Sequence, residues 1–260
     1  MLRCRTCRRE FSERKGTALW HSRMPPDKAI DIAQHLAEGC GIRKTARLVG
    51  ASKEGVTNLA LRLGLHARAQ HGARVRAVTV KKAQLDEKWA FVGKKQKHCD
   101  PADPADAERG DQWDHTAIDV ESRFVVSLEV GKRDREMVQA TVKDFAERTG
   151  GPPALITSDD CNIYPEVLLE QYGETVTPPK TNGPGRPRKP FKRWPKGSAY
   201  ATVNKTYKRG HVVATERKLV HGTAADLDRA LRRSQQSQHI NTAFVERQNG
   251  TDRNYNSRKV

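Results

Sequence analysis

The spacing of apolar residues changes near residue 83, and this change constrains the fold more than any other feature of the sequence. Between residues 25 and 66, apolar residues recur every three or four positions, as they do on one face of a helix. Beyond residue 83, segments such as Gln84–Gly93 and Phe124–Val130 are typical of strands. The sequence therefore predicts a small helical domain over residues 25–66, followed by a larger α/β domain over residues 83–260.

Three helices are predicted in the first of these domains. One begins at Pro25-Pro26, a second covers Ile42–Val49, and Ser52 caps a third after a turn at Gly50. The last two have the form of a helix-turn-helix, whose second helix can enter the major groove of DNA, although an ordinary three-helix cap has the same apolar pattern. The polar and basic residues expected to contact DNA from these helices are Arg43, Lys44, Lys53, Thr57, Asn58 and Arg62.

The first 20 residues contain a close pair of cysteines that could contribute to a zinc site. Cys4 and Cys7 have the spacing of a tight turn whose two thiolates can share a tetrahedral zinc ion. A structural zinc site takes four ligands and no second pair follows, so the cysteines form only a half-site for Zn²⁺. An odd total of five cysteines argues against a secreted disulfide framework and favours a cytoplasmic location.

Positive charge is concentrated in a few segments. The chain has 48 Lys and Arg against 31 Asp and Glu, a net charge of +17, which predicts a polyanionic partner and favours nucleic acid over a membrane. Residues 67–82 are predicted to be a basic linker, and about 178–197 a basic insertion. Within the insertion, Arg186 and Arg188 flank Pro187 as in an AT-hook, which places arginine in a narrow A·T minor groove. A solvated loop that touches phosphates nonspecifically would have the same composition.

The larger domain is predicted to contain three meandering strands, a helix, a strand and a helix, which together give a mixed sheet with flanking helices. Three acidic residues in it have unusual surroundings. Asp86 lies in an otherwise apolar strand, Asp159 follows a short buried strand, and Glu246 lies in the last helix. Carboxylate oxygens are the ligands that Mg²⁺ prefers, and two such ions can activate a phosphodiester for cleavage. Asp119 is a rival for the first position, and Asp160 for the second.

Four segments carry a family resemblance. They are Asp86–Gly93, Ala117–Asp119 with Val130–Arg133, Ser158–Tyr164 and Val245–Asn249. In this order they resemble transposases of the insertion-sequence-one family. Compared with that family, the chain is expected to be truncated at both ends. It begins at what corresponds to the second of two cysteine pairs of that family's zinc-ribbon, so the resemblance implies that residues 1–20 are a partial zinc-ribbon. It ends 260 − 246 = 14 residues after Glu246.

This resemblance implies a fold, a chemistry and a set of partners. The fold would be RNase H-like, with Asp86, Asp159 and Glu246 as a DDE triad that holds two Mg²⁺ or Mn²⁺ ions. The activity would be a DNA transposase, which cleaves a strand at the end of an insertion element and joins it to target DNA. The partners would be double-stranded DNA, both the terminal repeats and the target, and further copies of the chain bound to it. The location would be the cytoplasm, in association with the nucleoid.

Phosphate contacts beside the triad are expected from Arg247, Asn249 and Arg253. Two other readings remain open at this stage. A non-catalytic DNA-binding regulator, or an inactive transposase remnant, needs only the helix-turn-helix and the basic segments. A nuclease with no role in transposition needs only the acids. If the three acids lie close together in the folded chain, an enzyme is favoured, because a regulator does not need three carboxylates at one site.

Overall fold

The computed structural model describes residues 2–179 and 188–256. The chain divides into two compact units. One comprises Met1–Val75 together with Thr251–Val260, and the other comprises Arg76–Gly250. The boundary after Val75 falls within the range predicted as a linker.

The first unit contains a short hairpin and three helices. Strands β1 (Leu2–Arg3) and β2 (Glu10–Phe11) pair antiparallel, and helices α1 (Pro26–Ala37), α2 (Ile42–Leu48) and α3 (Lys53–Arg74) follow. Burial of their apolar faces against one another stabilises the three helices. The buried residues of this core are Ala29, Ile32, Ala46, Val56 and Leu59.

Helix α3 is longer than the sequence suggested. Its N-terminus is capped as predicted, since the Ser52 hydroxyl accepts a hydrogen bond from the Gly55 amide at 3.0 Å. It continues to Arg74, so residues 67–74 are helical and the prediction of a linker beginning at residue 67 was wrong there. The apolar pattern of the buried face stops before residue 67, since the last two turns of α3 have few apolar side chains to bury. These turns therefore depend more on helix propensity.

The second unit is built on a six-stranded mixed sheet. In chain order its elements are β3 (Lys82–Val92), β4 (Gly110–Asp119), β5 (Val125–Gly131), α4 (Arg135–Thr149), β6 (Leu155–Asp159), α5 (Tyr164–Tyr172), β7 (Glu174–Val176), β8 (Phe191–Arg193), β9 (Ala199–Lys208), β10 (His211–His221), α6 (Ala224–Arg233) and α7 (Ala243–Tyr255). The strand order is β10-β9-β6-β3-β4-β5. This confirms the predicted mixed α/β architecture with flanking helices.

The type of strand pairing changes twice across the sheet. The predicted meander β3-β4-β5 is antiparallel throughout, whereas β6 lies parallel to β3 and β9 lies parallel to β6. Strand β10 returns antiparallel to β9 at the edge. Parallel strands point their carboxyl ends to the same side, so β3, β6 and β9 lead their following residues to one end of the sheet.

The segment predicted as a basic insertion contains β8. This strand pairs antiparallel with β7, which precedes the insertion, and Glu174 lies opposite Arg193. Trp194, which follows β8, is buried against the second unit, and its ring stacks on His221 with centroids 5.0 Å apart. Of the two AT-hook arginines, Arg186 lies outside the described residues and Arg188 is exposed.

No helix in residues 2–179 and 188–256 is long and apolar enough to cross a membrane.

Gly222, which follows β10, is expected to tolerate no side chain. Its φ is +93°, and a Cβ there would lie 2.6 Å from the Ser198 carbonyl oxygen and 2.9 Å from Ala199 Cα. Gly222→Ala should therefore lower the free energy of unfolding by about 1–2 kcal/mol for the left-handed backbone, plus about 1–3 kcal/mol for overpacking. Urea unfolding measures this change.

Gly197→Ala is the matched control for this substitution. Its φ is +81°, but a Cβ there meets nothing within 4 Å. The control should show only the backbone cost, and equal losses in the two variants would contradict the packing described around Gly222.

Candidate functional site

Alternate residues of β3 hold the segment that leads into α7. Side chains at positions 82, 84 and 86 share one face of the sheet. Lys82 is buried, and its ammonium donates hydrogen bonds to the carbonyl oxygens of Ser237 at 3.0 Å and His239 at 3.2 Å. Burial lowers the pKa of Lys82 to about 8. A buried cation in the middle of a sheet thus anchors a distant loop.

Gln84 holds the start of α7 itself. This fully buried side chain donates to the Asn241 carbonyl oxygen at 2.6 Å, and its own oxygen accepts hydrogen bonds from the amides of Phe244 at 2.9 Å and Val245 at 3.0 Å. The first amides of a helix have no partners within the helix, so Gln84 supplies an acceptor that the helix needs. Sequence reasoning missed Gln84, although its alternation with Lys82 and Asp86 marks a polar face.

Asp86 and Asp159 lie at neighbouring positions on adjacent strands. The parallel pairing of β3 with β6 sets Leu85 opposite Ser158, and each acid is the next residue on its strand. Thr157, two residues before Asp159, donates to the Asn241 carbonyl oxygen at 3.0 Å, so this face of β6 also meets the segment before α7. The structure therefore brings the first two predicted acids together.

The local field disfavours ionisation of both acids. Burial raises the pKa of Asp86 to about 7, and the negative charges of Asp159, Glu87 and Glu246 contribute. Burial also raises the pKa of Asp159 to about 6, and the charge of Glu87 adds to this shift. Arg133 opposes it, with its guanidinium Nη2 3.5 Å from Asp159 Oδ2. Several carboxylates thus crowd a partly buried site in which positive charge is scarce.

Glu246, the third predicted acid, is in the first turn of α7. The Lys205 ammonium lies 2.5 Å from each of its carboxylate oxygens, and the Thr242 hydroxyl donates a further hydrogen bond. Its side chain is 42% exposed, so solvent reaches it. Lys205 is on β9, so the third acid is held between α7 and the strand next to β6.

Asn249 is buried beside Asp86 and is not on the surface where a phosphate contact was expected. The sequence predicted a phosphate contact, yet Asn249 is only 3% exposed and its amide donates to Asp86 Oδ2 at 2.8 Å. It follows Glu246 by three residues on α7, so both lie on the same side of the helix, and packing of α7 on the sheet turns Asn249 inward. Arg247 and Arg253, the other two predicted phosphate contacts, are exposed.

Glu87 and Arg133 form a second charged pair at this site, which the sequence reasoning missed. The Glu87 side chain is 1% exposed, and Arg133 Nη2 lies 3.1 Å from its Oε2. Arg133 also approaches Asp159, so one guanidinium serves two carboxylates. A charged residue directly after Asp86 in an apolar strand was the available signal.

The two rival acids are engaged elsewhere. Asp119 ends β4, and its carboxylate accepts hydrogen bonds from the Ser122 amide at 3.0 Å and hydroxyl at 2.5 Å, which closes the turn before β5. In the β3–β4 register it lies opposite Ala83, away from Asp86. Asp160 is exposed and accepts a hydrogen bond from Asn204 at 3.3 Å.

The structure places the predicted zinc half-site in the turn between β1 and β2. Both thiols are free, and the Cys7 amide lies 3.5 Å from Cys4 Sγ; hydrogen bonds from Cys7 lower the pKa of Cys4. Within the described ranges, no three His, Cys, Asp or Glu side chains are grouped closely enough to hold a metal ion. Neither the two cysteines nor the three predicted acids form such a group with their side chains in these positions.

The predicted DNA-contacting residues of the first unit are mostly on its surface. Arg43, Lys44, Lys53 and Asn58 are exposed. Two others have contacts within the protein: the half-buried Thr57 donates its hydroxyl to the Lys53 carbonyl oxygen at 2.9 Å, and Arg62 donates to that of Trp20 at 3.0 Å. Their role in DNA binding stays a prediction.

Comparison with known proteins gives only weak similarities. No family model and no curated protein matches the chain. Three solved structures are similar at 14% identity. They are the Mos1 strand transfer complex (TM-score 0.24, 56% of each chain), a pre-cleavage Mos1 transpososome (0.21, 54% of this chain and 55% of that one) and the Mos1 mariner paired end complex with Mn (0.23, 57% and 59%).

The chain thus spans little more than half the length of these proteins. TM-scores this low establish neither a family nor a function. None of the comparisons supports membership of the insertion-sequence-one family.

The raised pKa of Asp86 predicts how the free energy of unfolding changes with pH. Because the unfolded chain releases this proton near its ordinary pKa while the native protein keeps it up to about pH 7, the stability contributed by this group falls as pH rises through that window. Asp86→Asn removes the titration. The free energy of unfolding of this variant, relative to the natural chain, should increase by roughly 1–3 kcal/mol between about pH 5 and pH 8.

Urea unfolding at the two pH values measures this difference. Asp160→Asn is the control, because it removes a carboxylate from the same region but from an exposed position. The same pH-dependent gain in both variants would contradict the buried, crowded environment assigned to Asp86.

Proposed function

We propose that this protein is a DNA transposase of the RNase H-like DDE class, which cleaves a DNA strand and joins it to another with the help of divalent metal ions. The observation that carries the proposal is the juxtaposition of Asp86 and Asp159 on adjacent parallel strands, with Glu246 on the helix that packs over the same face. Three acids that are 73 and 87 residues apart in sequence (159 − 86 and 246 − 159) have no structural need to share this place.

The residues at the site fit divalent metal ions. The donors are carboxylate oxygens, the hard ligands that Mg²⁺ and Mn²⁺ take. One of the buried side-chain oxygens that have no hydrogen-bond partner in the described part of the chain is Asn249 Oδ1. Asn249 is bonded through its amide to Asp86, so its free oxygen belongs to the immediate surroundings of the triad. Acceptors left without donors in a crowded acidic site favour a cation.

In this proposal each side chain has a defined part. Asp86 and Asp159 hold the ions on the sheet, Glu246 completes the set from α7, and Asn249 keeps the Asp86 carboxylate oriented. Arg133 fixes Asp159. The bound ions would supply Lewis acidity that stabilises both the attacking and the leaving oxygen of the phosphodiester. Since ionised carboxylates are the ligands, burial that raises the pKa of Asp86 to about 7 makes ion binding weaker below that pH.

A metal ion would compete with the Lys205 ammonium for the Glu246 carboxylate. The ammonium lies 2.5 Å from both carboxylate oxygens, so Glu246 has to exchange one cation for another before it joins Asp86 and Asp159. The same contact favours a second function, that of a DNA-binding protein without catalysis, because a permanent Lys205–Glu246 pair would leave the triad incomplete. The two functions differ in whether divalent ions displace Lys205.

The remaining parts of the chain supply DNA binding in this proposal. A net charge of +17 suits a polyanion, and the exposed basic residues of α2 and α3 would contact an element end as a helix-turn-helix does. Joining two element ends to a target requires more than one active site, so the protein would act as a homo-oligomer on DNA. The partial zinc-ribbon belongs to this DNA-binding part.

Removing any one acid should abolish cleavage and spare binding. Asp86→Asn, Asp159→Asn and Glu246→Gln each remove a metal ligand, whereas phosphate affinity comes from Lys and Arg, so the Kd for DNA should change less than about threefold. Cleavage of a duplex containing the flanking element ends, with Mg²⁺ or Mn²⁺, should fall by about 10³-fold or more.

Asp119→Asn is the control, since its carboxylate closes a turn away from the triad. Cleavage that persists in the Asp86 and Glu246 variants would refute the assignment. Binding without cleavage by the natural chain, together with a Kd that divalent ions leave unchanged, would favour the non-catalytic alternative.

A further inference from the structure

The hairpin formed by β9 and β10 extends beyond the sheet. Strand β9 pairs with β6 only as far as Val203, opposite Asp159. The following residues pair with β10 alone, with Thr206 opposite Ala214 and Tyr207 opposite Val212. We call residues 205–208 together with 211–215 the ribbon. Apart from the half-buried Lys205, every residue of the ribbon is exposed, so this is a two-stranded element with both faces open.

The tip of the ribbon is tightly defined. Its two loop residues, Arg209 and Gly210, have φ values of +51° and +80°, as a type I′ turn requires. This turn leaves Lys208 and Arg209 exposed at the tip. Next to them are two large apolar side chains, Tyr207 at 62% and Val213 at 57% exposure. The tip therefore presents apolar and cationic side chains together on an open surface.

We infer that the ribbon binds duplex DNA. Residues 205–215 contain two lysines and one arginine and no acidic residue. Because Lys205 is paired with Glu246, the positive charge available to a ligand is that of Lys208 and Arg209 at the tip. A two-stranded β-ribbon fits the DNA major groove, and exposed apolar side chains beside basic ones are suited to base edges and sugars. Lys208 and Arg209 would contact phosphates, while Tyr207 and Val213 would contact the groove.

Pairing with a second copy of the chain is the main competing use of such an element. An exposed edge strand can extend a sheet into a neighbouring molecule. Here β10 has register shifts between Val212 and Ala214 and between Leu219 and His221, which interrupt the regular edge that such pairing needs. Two ribbons brought together would also place like charges at Lys208 and Arg209 side by side. Charge complementarity therefore favours DNA.

The ribbon begins at the acidic site. Its first residue, Lys205, bonds Glu246, and three residues of strand separate Lys205 from the tip, roughly 10 Å. Phosphates along one strand are about 3.4 Å apart on the helix axis, so the tip would reach DNA about three nucleotides from the bond that is cut. This location rests on the proposed function; the binding itself does not.

Replacing the two tip cations tests the inference. Lys208→Gln with Arg209→Asn removes both charges, and the resulting Asn-Gly pair keeps a residue suited to the type I′ turn. Binding of a fluorescein-labelled duplex of mixed sequence is measured by anisotropy in EDTA over a salt series, where no metal-dependent cleavage occurs. Loss of two phosphate contacts should weaken binding roughly tenfold and reduce the salt slope by about 1.8.

The matched control removes the same charge from elsewhere in the second unit. Lys143 and Arg232 have side chains that are 70% and 79% exposed, and Lys143→Gln with Arg232→Gln should leave the salt slope almost unchanged. Tyr207→Ser, in the ribbon but without a charge, should weaken binding at a constant slope.

Equal slopes for the ribbon and control variants would overturn the inference. So would ribbon variants that bind DNA normally but change the sedimentation coefficient of the free protein, because this result would assign the ribbon to self-association. Neither result depends on whether the acids cleave DNA, so failure of this inference and failure of the proposed function can be told apart.

Discussion

The candidate site depends on the hydrogen bonds that Gln84 makes from the centre of the sheet. They join β3 to the carbonyl oxygen of Asn241 and to the first amides of α7, and this is the junction that sets Glu246 over the strands that carry Asp86 and Asp159. A buried amide whose donor and acceptor are both used fixes direction as well as distance. Lys82 holds the preceding loop in the same way. Together with the Asn249–Asp86 hydrogen bond and the Lys205–Glu246 pair, these contacts set the position of the third acid relative to the other two.

Once the acids are brought together, electrostatics determines what the site can bind. Burial raises the pKa values of Asp86 and Asp159, and the charges of Asp159 on Asp86 and of Glu87 on both add to it. Among the contacts described above, only Arg133 and Lys205 oppose the negative charge. A bound cation would reduce the electrostatic repulsion among these carboxylates. The Lys205–Glu246 pair already neutralises part of this negative charge. Lys205 is also the first residue of the ribbon, so it links cation binding at the acids to the ribbon.

The sequence was sufficient to predict what depends on local pattern. The strands of the meander and the cap at Ser52 follow from periodicity and from the chemistry of helix ends. The convergence of Asp86 with Asp159 was expected from the family resemblance, because the local pattern does not reveal that β3 pairs with β6. The role of Gln84 could not be predicted, because its partner Asn241 is 157 residues away. Asn249 was misplaced for a related reason: a helical sequence does not reveal which side packs inward.

Asp86, Asp159 and Glu246 are proposed to hold divalent metal ions jointly. Anomalous diffraction from crystals of the full chain grown with Mn²⁺ and a DNA duplex tests this directly. We expect Mn²⁺ bound by the carboxylates of Asp86 and Asp159, with Glu246 released from Lys205 and turned toward the ions. Mn²⁺ bound only elsewhere, with Lys205 still paired to Glu246, would contradict this proposal.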